Sequence, residues 1–150
     1  MKKQILMLLV LLSFSGKSQL TLYKQIKDAI SIENPKISFD DKLVAINIWQ
    51  ANDIESRNAN KEFDKVYKTY EFAKLKGGLK GVVVANVNLT DQTASILLKK
   101  DGIEKLITIS INTNELQGKK NIVFNSNGDK VLENIPSADV FKSFINLITR

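Results

Sequence analysis

Apolar residues recur along this chain at two different spacings, which predict helices and strands in alternation. Leu22, Ile26 and Ile30 lie four residues apart and predict a first helix, which an Asn-Pro turn at residue 34 ends. The next apolar stretch, Leu43 to Trp49, is short and almost uninterrupted. A run of this kind predicts a strand that is buried on both faces.

A long helix and a second buried strand are predicted to follow. The helix carries aromatic residues on one side and lysines on another, namely Phe63, Tyr67 and Tyr70 against Lys61, Lys65 and Lys68. Gly77-Gly78 is expected to end this helical region. The second strand is predicted within residues 79–89, centred on residues 82–85. Strand, helix and strand of these lengths imply a right-handed parallel crossover, so the pattern predicts an α/β fold.

The segment after the second strand predicts one more helix and one more strand. Residues 92–100 are expected to be helical, with Asp91 as the cap and Gly102 as the stop. Residues 106–111 alternate between apolar and polar positions in the manner of a strand.

A hairpin and a last helix complete the predicted elements. Ser126-Asn127-Gly128-Asp129 contains an Asn-Gly turn of the kind that hairpins favour, between strands predicted at residues 121–125 and 130–132. Ser137 is predicted to cap a final helix. The apolar face of that helix consists of Val140, Phe141, Phe144, Ile145 and Ile148.

Composition limits the chemistry that the chain can perform. The 150 residues are 43% hydrophobic and 25% charged, which is typical of one globular domain. There is no cysteine, which excludes disulfides, thiolate nucleophiles and cysteine metal sites, and no histidine, the usual general base. No carboxylates fall at calcium-loop spacing, and no glycine-rich phosphate loop opens a helix. We therefore expect neither a metal nor a cofactor.

The first 18 residues have the pattern of a secretory signal peptide. Lys2 and Lys3 precede an apolar run over residues 5–12, and small residues at 16 and 18 suit a cut before Gln19. The run is shorter than the about 20 residues that span a bilayer, and no second run follows, so no transmembrane segment is expected after cleavage. The mature chain, residues 19–150, would keep 19 basic and 16 acidic residues. A net charge of +3 is too small to argue for a nucleic-acid partner.

Several separated residues resemble the thioredoxin-like proteins of the exported thiol-disulfide oxidoreductase and peroxiredoxin-related type. Those proteins carry an apolar strand, then Trp-Ala-x-Trp-Cys-x-x-Cys-Arg, then a helix with Asn and two Tyr residues. The matching positions here are Trp49, Arg57, Asn60, Tyr67 and Tyr70, followed by residues 100–103 and the Asn127-Gly128 turn. The resemblance covers residues 38 to 150 and implies a central mixed sheet flanked by helices.

The departures from that family pattern concern its active site. Asp53 and Ser56 stand at the two cysteine positions, and Asn52 replaces the second tryptophan. Lys119 or a neighbour stands where the family has a cis-proline, and residues 102–121 look too short for the family's extra helix. Neither a carboxylate nor a hydroxyl can exchange the two electrons of a disulfide, so the chain alone is predicted to be redox-inactive.

Residues 49–57 form the vestigial active-site loop that the resemblance implies, and two interpretations of this loop remain open. Asn52 or Asp53 could simply be the N-cap of the long helix, with Glu55 or Ser56 completing a capping-box-like pair. Alternatively, the loop presents a binding patch made of Trp49, Asn52, Asp53, Glu55 and Ser56, in which Trp49 itself mainly packs.

These observations lead to one functional hypothesis and two alternatives. The first is an exported, periplasmic or secreted, redox-inactive thioredoxin-like domain that binds another envelope protein or peptide and is not an enzyme. The second is an enzyme that uses Asp53 as general base or nucleophile with help from Ser56. The third is a structural domain without a ligand.

Overall fold

The computed structural model describes residues 21–89, 94–111 and 114–147. The expected signal peptide, the Asp91 cap and Ile148 lie outside these ranges, and the division of the chain at residue 18 stays a prediction. Helix α1 covers residues 21–33 within the described part and buries Leu22, Ile26 and Ile30, so the first predicted helix is confirmed.

Five strands and three further α-helices lie within the described residues. The strands are β1 (Leu43–Trp49), β2 (Val82–Asn88), β3 (Ile107–Ile109), β4 (Asn121–Phe124) and β5 (Lys130–Glu133). The helices are α2 (Ile54–Tyr70), α3 (Ala94–Lys100) and α4 (Val140–Ile145). Short 3-10 turns cover Lys76–Gly78, Asn114–Leu116 and Ser137–Asp139. None of the helices in this part of the chain is long and apolar enough to cross a membrane.

The strands form one mixed sheet in the order β3-β2-β1-β4-β5. β1 runs parallel to β2, and β2 runs parallel to β3, while β4 is antiparallel to both β1 and β5. All seven residues of β1 are buried, because helices cover both faces of the sheet at its centre. The predicted α/β fold with a central mixed sheet flanked by helices is therefore confirmed.

Alternate residues of the central strands feed two separate apolar layers. Val44, Ile46 and Ile48 pack with α1, whereas Leu43 and Ala45 pack with α2 and α4. The alternation follows from the pleat of a strand, which sends successive side chains to opposite faces. Helix α2 begins shortly after β1 ends. Its start therefore lies at the edge of the sheet that contains the carboxyl end of β1, where a site can form.

The long helix α2 ends at Tyr70, so the expectation that Gly77-Gly78 ends this helical region is wrong. The chain folds back after the helix, burying Leu75 and bringing Gly81 against the carbonyl oxygen of Glu71. A Cβ atom on Gly81 would lie 2.0 Å from that oxygen, so only glycine permits this approach. This tight return, rather than the glycine pair, decides where the helix stops.

The hairpin and the last helix are confirmed, but their local details differ from the expectation. In the hairpin, the Gly128 N–H bonds to the carbonyl of Asn125, and Gly128 is the residue with positive φ, at 88°. This geometry is a turn followed by a glycine bulge, wider than a two-residue Asn-Gly turn. The predicted Ser137 cap is wrong, because Ser137 begins a 3-10 turn and bonds to Glu55 instead.

The third helix ends as predicted at Gly102, which has φ of 76°. The N–H of Ile103 bonds to the carbonyl of Leu98, which closes the helix end in the left-handed manner that glycine favours. Beyond β3, the described residues before β4 hold a 3-10 turn at Asn114–Leu116 and no α-helix.

Candidate functional site

Asp53 caps the amino end of α2. Its backbone is extended, with φ of −101° and ψ of 104°, and its carboxylate accepts the N–H groups of Glu55 at 3.2 Å and Ser56 at 3.3 Å. These are two of the N–H groups that a helix leaves without internal partners at its start. The structure therefore places Asp53, and not Asn52, at the cap.

Ser56 is held beneath this cap, and its hydroxyl makes two hydrogen bonds. Only 9% of the residue is exposed. Its Oγ donates to the backbone oxygen of Asp53 at 3.1 Å and accepts the N–H of Gln50 at 3.2 Å. Because the hydroxyl donates to a backbone carbonyl and not to a carboxylate, Ser56 lacks the hydrogen-bonded base that activates a serine nucleophile.

Glu55 links the start of α2 to the segment before α4. One carboxylate oxygen accepts the Ser137 N–H at 2.7 Å, and the other accepts the Ser137 hydroxyl at 2.9 Å. The backbone bond from Ser137, followed by its side-chain bond, lowers the pKa of Glu55 below the ordinary glutamate value, and nearby Lys120 acts in the same direction. Glu55 therefore stabilises a tertiary contact and does not complete a capping box.

Trp49 and Asn52 occupy opposite environments in the loop. Trp49 is 1% exposed, and its Nε1–H donates to Oδ1 of Asn86 at 2.8 Å. It packs with Ala94 and Leu98 of α3. Asn52 is exposed. The aromatic ring thus supports the loop from inside and offers no surface on which a ligand could stack.

A cleft of about 170 Å³ lies between this loop and the segment before β4. Of the predicted site residues, the structure brings Trp49, Asp53, Glu55 and Ser56 to the cleft, whereas Asn52 is not among its lining residues. The remaining lining residues are Asn47, Ile48, Gln50, Ala59, Leu89, Lys119, Lys120, Asn121 and Ile135.

Lys119 and Lys120 form the wall opposite Asp53, and bonds to neighbouring residues hold this wall in place. The N–H of Lys120 donates to Oδ1 of Asn134 at 2.9 Å, and its carbonyl accepts the N–H of Ile48 at 2.8 Å. The Lys119 ammonium lies 2.5 Å from a carboxylate oxygen of Glu133. No cis peptide bond occurs in the described residues, so the wall is held by these bonds and not by a cis-proline.

A row of buried asparagines lies beneath the cleft, and the sequence analysis missed it. Asn47 is the register partner of both Asn86 and Asn121, so one asparagine stands at the same level in each of three adjacent strands. All three are at most 1% exposed. Because such strands are otherwise apolar, an Asn within or at the start of each apolar run was the signal that could have found the row.

Arg57 and Asp101 connect α2 to the end of α3. The guanidinium donates two bonds to the carboxylate, at 2.8 Å from Nε and 2.6 Å from Nη2. The bond from Arg57 lowers the pKa of Asp101, and the same bond raises the pKa of Arg57. Two of the separate residues that carried the resemblance therefore meet in space and position α3 against the site.

The geometry favours noncovalent chemistry. Both oxygens of the Asp53 carboxylate accept backbone N–H groups, and the Ser56 hydroxyl donates to a backbone oxygen, so the two side chains are not arranged as a base and nucleophile pair. Among the described residues, no three carboxylates come together in a way that could hold a metal ion. What remains is a small cleft with a polar floor and a charged rim.

Three solved structures illustrate what this fold is similar to. The thioredoxin domain of a thiol-disulfide oxidoreductase from Bacteroides vulgatus has a TM-score of 0.57 at 12% identity, covering 74% of this chain and 82% of its own. A thioredoxin-like protein from Parabacteroides distasonis has a TM-score of 0.54 at 16% identity, covering 75% and 88%. A thiol:disulfide interchange protein from a Bacteroides species has a TM-score of 0.57 at 14% identity, covering 73% and 75%.

No protein-family model and no curated protein sequence matches the chain. Identities this low show a shared fold and transfer no activity. The chain itself contains no thiol with which to exchange a disulfide. The protein thus has a thioredoxin-like fold that lacks the active-site cysteines.

Proposed function

We propose that this protein is an exported, redox-inactive thioredoxin-like domain that binds another envelope protein or peptide at the cleft beside α2. The cleft is the main support for the proposal. It lies at the loop that the resemblance identifies as the active site, and this loop remains ordered although the thiols are absent. Its loop is fixed by the Asp53 cap, by Ser56 and by the Glu55–Ser137 contact. A site that is already rigid binds with a smaller loss of conformational entropy.

The surface beside the cleft supports contact with a macromolecule. Ile54, the first residue of α2, is 71% exposed, and Leu89 at the cleft is 50% exposed. Apolar side chains beside a polar, hydrogen-bonded cleft are the combination that protein interfaces bury. The enzyme alternative receives no comparable support, because the hydrogen bonds of Asp53 and Ser56 serve the helix end.

Site-specific photocrosslinking in the producing cells tests where a partner binds. A photoreactive phenylalanine derivative replaces Ile54 in one variant and Ile32 in the other, which is a matched control because Ile32 is 77% exposed and lies on α1. We expect a polypeptide adduct from position 54 and none from position 32. Adducts from position 32 alone, or the same adducts from both, would place the contact elsewhere and contradict the proposal.

Export is a separate part of the proposal and has its own test. The basic and apolar pattern of residues 1–18 supports it. Amino-terminal sequencing of the protein recovered from cells is expected to begin at Gln19. A chain that begins at Met1 in the cytoplasmic fraction would contradict export and leave the cleft proposal standing.

A further inference from the structure

Strand β3 is one edge of the sheet. It pairs with β2 on one side, and within the part of the chain that the structure describes no strand pairs with its other side. An edge strand carries a row of backbone N–H and C=O groups that can bond to a further strand. The outer side of β3 is therefore a place where another polypeptide can extend the sheet.

The backbone bonds of β2 show which groups of β3 face outward. The N–H of Leu89 donates to the carbonyl of Trp49, so the odd-numbered residues of β2 bond to β1. Successive residues of a strand direct their backbone groups to opposite sides, and the even-numbered Asn86 therefore bonds to β3. Asn86 stands at the level of Thr108, and in a parallel pair it bonds to the residues on either side of Thr108. The N–H and C=O of Thr108 consequently point to the outer side of β3, as do those of the residues two positions before and after it.

The two edges of the sheet differ in how they are protected. Charged residues, proline and bulges are the usual means by which an edge strand avoids pairing. At the other edge, β5 begins with Lys130 and ends with Glu133, and its pairing with β4 contains a register shift. Residues 106–111, which contain β3, hold no charged residue, no proline and no glycine, and β3 pairs with β2 in regular register. Of the two edges, β3 is the one without these protections.

The sequence around β3 is complementary to a second copy of itself. In an antiparallel pair centred on Thr108, that residue stands opposite its own equivalent, and Ile107 stands opposite Ile109 of the second copy. Ile107 and Ile109 both belong to the apolar layer beside α1, so the two copies would bring like faces together. Pairs of threonines are among the cross-strand pairs that stabilise a sheet.

The charges near the edge also permit this register. The charged residue nearest to β3 is Lys105, which would stand opposite Ile111 of the second copy. Ser110 would stand opposite Leu106, so no two like charges face each other over residues 105–111. A second copy supplies the matching uncharged run by symmetry, which favours this chain itself as the occupant of the edge.

We infer that this protein forms a two-fold symmetric homodimer in which the β3 strands of two copies pair antiparallel and join their five-stranded sheets into one continuous sheet. The inference goes beyond the proposed function, because no residue of β3 lines the cleft beside α2. Each dimer would therefore present two clefts.

Single cysteines test the pairing and its register. The chain has no cysteine, so one introduced thiol reports on its own position. Thr108 and Ser110 are both exposed, which makes Ser110→Cys a matched control for Thr108→Cys. Opposed Cα atoms of such a pair lie about 5.5 Å apart, within the range that a disulfide spans, whereas two copies of residue 110 would lie roughly 14 Å apart along the strands.

Mild oxidation of the purified variants gives the readout. We expect a disulfide-linked dimer from Thr108→Cys and little from Ser110→Cys or from Val131→Cys on β5. Val131 is 41% exposed and measures pairing at the opposite edge. Equal crosslinking of all three variants, or no crosslinking of Thr108→Cys, would overturn the inference.

Charge exchange at position 108 tests the symmetry without a crosslink. The wild type is expected to dimerise in sedimentation velocity, and Thr108→Lys and Thr108→Glu, which each place like charges opposite each other, should each weaken dimerisation by about two- to fivefold. An equimolar mixture of the two variants should associate at least as well as the wild type. Thr108 Oγ1 accepts a bond from Nδ2 of Asn86 at 3.1 Å, so Thr108→Val controls for the loss of this bond and should still dimerise. A wild type that stays monomeric, or a mixture that associates no better than the single variants, would overturn the inference.

Photocrosslinking from position 108 in the producing cells separates this inference from the proposed function. We expect an adduct that consists of two copies of this chain. An adduct with a different polypeptide alone would show that the edge serves another protein and would overturn the homodimer. The adduct from position 54 would still test the cleft, because that position lies on α2 and not on β3.

Discussion

Replacement of Asp53 by alanine tests the structural role of the residue that caps α2. The change removes both bonds to the N–H groups of Glu55 and Ser56. Loss of an N-cap costs about 0.5–2 kcal/mol, and we expect about 1–2 kcal/mol because the Ser56 N–H is partly buried and cannot fully regain a water partner. For a domain of this size the melting temperature should fall by about 2–8 °C.

Urea unfolding monitored by the fluorescence of Trp49 measures this change, because Trp49 is the only tryptophan and is 1% exposed. Asp53→Asn is the matched control and should stay within about 0.5 kcal/mol of the wild type, since asparagine caps as well as aspartate. If the alanine variant is as stable as the wild type, Asp53 does not act as a cap. If the asparagine variant loses as much stability as the alanine variant, the charge of Asp53, and not its hydrogen-bond geometry, is what stabilises the helix end.

Three further predictions follow from buried or strained positions. Trp49→Phe removes the donor to the buried Oδ1 of Asn86 and should cost about 1–3 kcal/mol in urea unfolding followed by circular dichroism; no loss would show that this bond does not stabilise the fold. Gly81→Ala should cost at least about 2 kcal/mol, because its φ is 129° and the added methyl meets a backbone oxygen; wild-type stability would contradict the observed return of the chain. Arg57 lowers the pKa of Asp101, so the free energy that this pair contributes to folding is present above the pKa of the unfolded state, near 4, and is lost as pH falls through the pKa of the folded state. Asp101→Asn should therefore be less stable than the wild type at pH 7 and should lose less stability between pH 5 and pH 2. Parallel curves of stability against pH for the two proteins would refute this.

The elements with regular apolar spacing could be predicted from the sequence, because burial on a regular backbone imposes a period that the residues must match. Leu43 to Trp49 shows this directly, since a run with all of its side chains buried has to be apolar almost throughout. The end of α2, which was predicted wrongly, depends on a contact between residues that are apart in the chain. Helix α2 stops at Tyr70 because Gly81 packs against Glu71, which no local pattern announces.

The site was only partly predictable for the same reason. The position of Asp53 before a helix was readable as a capping signal, and the structure places it there. Ser137 carried the same local signal, yet its N–H and hydroxyl bond to Glu55, which is 82 residues away. A serine at a helix start can cap locally or bond across the fold, and the choice depends on which acceptor the tertiary structure brings near.

The sequence by itself determined the absence of thiol chemistry, because a chain without cysteine has no thiolate in any conformation. It also determined the alternation of helices and strands, since hydrophobic periodicity is a local property. Only the tertiary structure decided that Asn47, Asn86 and Asn121 form one buried row, because residues far apart in the chain become neighbours through strand register. The buried Asn47 side chain, which lines the cleft, meets these neighbours only once those strands are paired.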